Sequence, residues 1–135
     1  MKELAILLKA LNILGHICHF EASRIVFMQD HLFLAELYEA AEENYDAIVE
    51  RCIGTGIKID IQDINAAAAA RVKGMKIGAD NSAKLAQCLA MEQETTTMID
   101  KLVKAGGISY GTETLLGDIA NESEVRQYKL KQRLA

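Results

Sequence analysis

No proline occurs anywhere in this chain of 135 residues. Proline breaks helix interiors, and Ala, Leu, Lys and Glu are abundant, so the chain reads as mostly helical. The strongest case is the segment from Leu32 to Glu50, which has neither Gly nor Pro and is rich in helix formers. Four residues with metal-binding chemistry fall in or beside it: His19, His31, Asp46 and Glu50. Imidazole and carboxylate together suit iron or another borderline first-row metal. At about 1.5 Å per residue, His31 and Asp46 stand roughly 22 Å apart along such a helix. One chain cannot bring both to one ion. An antiparallel copy can, because a two-fold axis near the middle of the helix sets each histidine end beside the partner's carboxylate end. The pattern predicts either no metal site or one shared between subunits.

Four long helices and one short one account for the apolar periodicity. The first is expected over Lys2–Phe20, with Leu4, Leu7, Leu8, Leu11 and Leu14 on one face. Residues 21–24 form a short connection, and Ser23 is a candidate cap for a second helix over Ile25–Ile53. Gly54-Thr55-Gly56 stops that helix, whose length of about 42 Å is typical of a long bundle. The next 25 or so residues exceed the needs of a hairpin and suggest a crossover with a short helix near Asp63–Val72. The alanines at 66–70 allow close packing or serve as helix filler. A third long helix is expected over Ser82–Lys104, stopped at Gly106-Gly107. Thr112 opens the fourth. No repeat, low-complexity tract or second domain is visible, so residues 1–135 read as one all-α domain, a four-helix bundle with a long crossover.

Cys18, Cys52 and Cys88 are isolated and odd in number, as expected of buried thiols in a reducing compartment. Lys9 interrupts the apolar N-terminus, which argues against a signal peptide. No stretch is expected to reach membrane-spanning length, and a cytoplasmic protein follows. The net charge of −4 argues against general affinity for DNA. The one basic cluster, Arg126, Lys129, Lys131 and Arg133, lies in the last turns, where cations usually complement the helix dipole. Contact with nucleic acid there is the alternative.

The spacing of His19, His31, Asp46 and Glu50-Arg51 resembles the Dps family, the mini-ferritins named as DNA-binding proteins from starved cells. That family shows a second histidine twelve residues after the first, an aspartate fifteen beyond it and a glutamate four further on, followed by arginine. Phe27 and Tyr38 fall where the family tends to place aromatics, Gly54 or Gly56 matches its glycine ending, and Gly111-Thr112 with Leu115-Leu116 resembles the start of its last helix. Tyr128 sits where tryptophan is common. The resemblance covers about His16–Gly56 and Ser109–Leu134, and the crossover carries little of it. Larger ferritins place Glu-x-x-His motifs inside each bundle. All three histidines here precede the middle of the second helix, so that arrangement is excluded.

The resemblance implies a ferritin-like bundle that oxidises Fe(II) with peroxide or oxygen at sites of two irons between subunits. The histidines would come from one subunit and Asp46 and Glu50 from the other, with Glu50 bridging. Twelve subunits would form a hollow shell that stores ferric iron and protects against oxidative damage. Glu113, Asp118 and Glu122 would line an ion-access pore, although Thr114 stands where many members carry aspartate. Two departures bear on the chemistry: Ala35 stands where the family usually has another aspartate ligand, with Glu36 and Glu39 nearby, and Phe20 replaces a tryptophan. The lysine-rich tail of DNA-binding members is not expected, since the first helix begins almost at Met1. His16, one turn before His19, is read as structural. The alternative reading is a shell with a weakened iron centre and a structural or DNA-protective role, or a helical adaptor that keeps only the fold.

Overall fold

A computed structural model describes residues 1–135 as five helices and no strand. They are α1 (Lys2–Glu21), α2 (Phe27–Gly54), α3 (Ile61–Lys73), α4 (Asn81–Ala105) and α5 (Tyr110–Leu134). Three begin on side-chain caps, which satisfy backbone donors that a helix leaves orphaned in its first turn. Asp60 accepts from the Asp63 N–H at 3.1 Å, Asp80 from Ala83 at 2.8 Å and Ser109 from Thr112 at 3.1 Å. Thr112 therefore sits inside α5, and Ser109 is its cap. Ser23 caps nothing either. Its backbone N–H donates to Asn81 Oδ1 at 3.0 Å and its carbonyl accepts from Asn81 Nδ2 at 2.8 Å, so the loop before α2 is tied to the start of α4. At the far ends, Gly56, Gly106 and Gly107 take φ of 77°, 70° and 75°, where a side chain would be strained.

Contacts along the helices fix the topology. Asn12 meets Tyr38 and His19 meets His31, so α1 and α2 are antiparallel. Glu92 meets Arg126, Asp100 lines one cavity with Ala120, and only residues 106–109 join the two helices, so α4 and α5 are antiparallel. Arg51 meets Thr112 and Asp30 meets Arg133, so α2 and α5 are antiparallel as well. The helices α2 and α4 then point the same way, and residues 55–80 must return the length of the bundle. That segment carries α3, which packs on α1. Of its alanine run, Ala68 alone is fully buried.

Leu4, Leu7, Leu8, Leu11 and Leu14 of α1 are all wholly buried. They join one core layer containing Leu34, Leu37 and Leu85 and another containing Ile48, Ile64, Ile99 and Leu116. The expectation that no stretch reaches spanning length fails for α1, whose 20 residues are long and apolar enough to cross a membrane. Over half of its most apolar window is buried against the bundle, so its hydrophobicity is the cost of occupying the core. All three cysteines are free and buried.

The bundle also buries charge. Glu92 of α4 is fully enclosed and Arg126 of α5 nearly so, with Nε donating to Glu92 Oε1 at 2.5 Å. Ser123 donates to the same carboxylate, and Gln127 Nε2 donates to the Glu92 carbonyl at 3.1 Å. A buried pair of this kind is costly to break from one side, because the remaining charge has lost its water. Arg126→Leu is expected to destabilise the protein by about 3–5 kcal/mol. The Arg126→Leu, Glu92→Leu double variant should recover much of that loss, both read from chemical denaturation midpoints.

Candidate metal centre

His19 lies in the last turn of α1, where carbonyls have no intrahelical donor. Its carbonyl accepts from His31 Nδ1 at 2.8 Å, and in return His19 Nδ1 donates to the His31 carbonyl at 2.7 Å. The two rings stack at 3.6 Å between centroids and 19° between planes. A carbonyl can only accept, so both Nδ1 atoms carry the proton. In the neutral rings Nε2 then holds the lone pair, the form a metal requires. Such a bond from the far ring nitrogen also orients a ligating histidine and raises its basicity. Phe27 extends the stack, 4.8 Å from His31.

The pair is held from behind. Asp30, one residue before His31, is buried and takes a two-pronged contact from Arg133, both bonds 2.9 Å, plus Asn81 Nδ2 at 3.0 Å. The Asp30 carboxylate pushes the Arg133 guanidinium pKa up. One carboxylate thus joins the start of α2, the start of α4 and the end of α5. Gly15 adds a second constraint: a Cβ there would stand 2.7 Å from Leu37 Cδ2 and 3.1 Å from Tyr38 Cβ. Its absence lets α1 and α2 approach closely in the turn below the histidines.

Asp46 and Glu50 are exposed on α2 and take part in none of the chain's ion pairs. Glu50 borders an open cavity of about 470 Å³ with Ala47, Arg51, Gly54, Thr55 and Leu115. Since α2 is one helix from Phe27 to Gly54, the fifteen residues from His31 to Asp46 keep them roughly 22 Å apart. The structure brings the two histidines together and leaves the two carboxylates at a distance. No group of three or more His, Cys, Asp or Glu side chains converges within a single chain.

Around the histidine pair the outward surface is apolar: Phe20 is 72 % exposed, Leu32 61 % and Met28 60 %. Met28, Leu32, Ala35, Glu39, Asp46, Glu50 and Ile53 recur at helical spacing and form one outward stripe on α2. A family profile for the ferritin-like domain matches residues 3–135. The chain belongs to the ferritin-like family. No single curated protein matches it. Ferritin-like proteins generally bind iron, and many oxidise it.

Other residues of this ferritin-like chain fall as follows. Ala35 is the half-buried member of the stripe, Glu36 pairs with Lys129 at 3.0 Å, and Glu39 is exposed. Glu113, Asp118 and Glu122 are exposed along the first half of α5, and Thr114 Oγ1 donates to the Tyr110 carbonyl at 3.0 Å. Of the terminal basic cluster, Arg126, Lys129 and Arg133 each pair with an acid on another helix, which leaves Lys131 as the member without such a partner. Asp30, Asn81 and Arg133 were not visible as a unit in the sequence, since 103 positions separate Asp30 from Arg133. Arg133, in the last turn of α5, reads in the sequence as an ordinary dipole complement. His16 is exposed and stacks between Phe20 and Tyr38.

The reciprocal histidine bonds fix a tautomer, and this is directly measurable. Ring ¹⁵N spectra of the metal-free protein above the histidine titration range are expected to show Nδ1–H for both His19 and His31. An Nε2–H signature for either ring would mean that the mutual lock does not form in solution.

Proposed function

We propose that this chain is a Dps-type mini-ferritin that oxidises Fe(II) at sites shared by two subunits and stores the ferric product in a homo-oligomeric shell of twelve. One observation carries the reading. Two histidines lock each other with both Nε2 atoms free, while Asp46 and Glu50 on that outward stripe lie on the same rod, beyond reach. Antiparallel pairing of α2 about a two-fold axis near residues 38–39 sets His31 opposite Asp46 of the partner subunit. It also covers Phe20, Met28 and Leu32, which are otherwise apolar surface in water.

Iron is the substrate. His19 ligates one Fe(II) with Asp46 and Glu50 of the partner subunit, and His31 holds the other, with the partner's Glu50 bridging. Two Fe(II) give one electron each to hydrogen peroxide, which takes two protons and leaves as two waters. Paired one-electron losses avoid release of hydroxyl radical. Carboxylates favour the harder Fe(III) product and draw the reaction forward. The second reading, a shell with little iron oxidation and a structural or DNA-protective role, is favoured by Ala35, which offers a methyl group one turn after His31 where a further oxygen donor would complete the second position.

The shared site has a distinctive test. Anaerobic Fe(II) titration followed by peroxide should show oxidation in the wild type and its loss, by at least tenfold, in His31→Ala and in Asp46→Ala separately. Refolding the two variants together should restore part of the activity, because each mixed pair of subunits then holds one complete site. Failure of the mixture to recover would sink the inter-subunit arrangement. Gel filtration of the wild type separates a shell from an adaptor without one.

Ala35 generates a further expectation. Ala35→Asp should raise the number of tightly bound Fe(II) per site towards two, read by anaerobic calorimetry. An unchanged stoichiometry would show that position 35 does not face the second iron.

A further inference from the structure

Cys18 and Cys88 meet between α1 and α4. These helices run antiparallel, and the bonds between Ser23 and Asn81 pin their register just past the end of α1. From that point Cys18 lies five residues back and Cys88 seven forward, which brings the two to one level. Their thiols are within hydrogen-bonding reach of each other. Both are wholly enclosed in one core layer. Cys52 is as deeply buried, but it sits in the other layer with no cysteine partner. Beside the pair lies an unusual cation. Lys84, one turn before Cys88, is only 5 % exposed, takes part in none of the ion pairs and donates only to the Ala79 carbonyl, at 3.3 Å. A lysine is rarely enclosed without a counter-charge. Its charge bears on the Cys18 sulfur, where exposed Glu21 opposes it.

We propose that Cys18 and Cys88 form a dithiol that reduces hydrogen peroxide and closes as a disulfide between α1 and α4, an activity separate from the iron chemistry above. A disulfide needs its sulfurs about 2 Å apart, and thiols already in contact reach that by side-chain rotation. Cys18 is the attacking sulfur, because the Lys84 cation stabilises negative charge there. Its sulfur bonds one peroxide oxygen as the O–O bond breaks, and the hydroxide set free takes the Cys18 proton and leaves as water. The Cys88 sulfur then bonds the Cys18 sulfur and displaces hydroxide, which takes the Cys88 proton and leaves as a second water. The two thiols lose two electrons and two protons, and peroxide gains both. Access comes by local opening of the last turn of α1, which carries Cys18 and runs into the exposed residues 23–25. Cys52, alone, has no partner for a disulfide within the chain.

The test uses the assembled protein, reduced, freed of metal with a chelator and then mixed with excess hydrogen peroxide. Remaining thiols are alkylated with N-ethylmaleimide at timed intervals, and the chain is weighed and digested. The wild type should lose two of its three thiols together and yield a peptide linked through Cys18 and Cys88, while Cys52 is still alkylated. The chain should stay monomeric on a non-reducing denaturing gel. Lys84→Met, which keeps the buried stem and removes the charge, should slow the loss several-fold, and Cys52→Ser should leave its rate unchanged. Cys88→Ser should stop the reaction at a Cys18 sulfenic acid that dimedone captures. Survival of all three thiols, loss of Cys52 as fast as of the pair, or loss without the linked peptide overturns the proposal. An unchanged rate in Lys84→Met overturns the role given to its charge. Because no iron is present, these outcomes stand whether or not the protein oxidises Fe(II).

Discussion

A helix of 28 residues cannot fold back on itself, and the rest of this molecule is arranged around that rigidity. The rod α2 carries imidazole support at one end and carboxylates at the other, and its outward stripe runs between them. Its inward face supplies Leu34, Leu37, Ile48 and Cys52 to the core. The crossover follows from direction: α2 and α4 point the same way, so the chain must climb back along the bundle through α3.

Two buried polar clusters divide the work of holding the bundle. Glu92 with Arg126, Ser123 and Gln127 fixes the α4–α5 pair at mid-height, whereas Asp30 with Arg133 and Asn81 fixes three helices at the histidine end. Buried ion pairs contribute little net stability against apolar replacements, but they enforce register strongly, since any slip strands a charge. Neither cluster bonds to α1, whose register along α2 is set by the reciprocal His19–His31 bonds and by Asn12 donating to the Tyr38 carbonyl.

Much of this was legible in the sequence. The absence of proline, the leucine stripe of α1 and the glycine stops placed all five helices within a few residues. The twelve-residue interval between His19 and His31 marked the two histidines that the structure brings together. What the sequence hid was long-range. Nothing local to Ser23 says that its backbone bonds to Asn81 rather than capping α2, and the terminal arginines read as solvated cations because their acidic partners lie on other helices. The apolar run of α1 is ambiguous by itself: a core helix and a spanning helix share one composition, and only packing separates them. The stacking of Tyr38 on His16 was equally unreadable, since it depends on how closely Gly15 lets two helices approach.

The clamp between Asp30 and Arg133 couples the last turn of α5 to the first turn of α2. Fraying is normal at a terminal helix end, yet here it would release the buried Asp30 one residue from a proposed iron donor. A tag, label or protease acting at the C-terminal turn would therefore be felt by the histidine pair, although the two lie at opposite ends of the polypeptide.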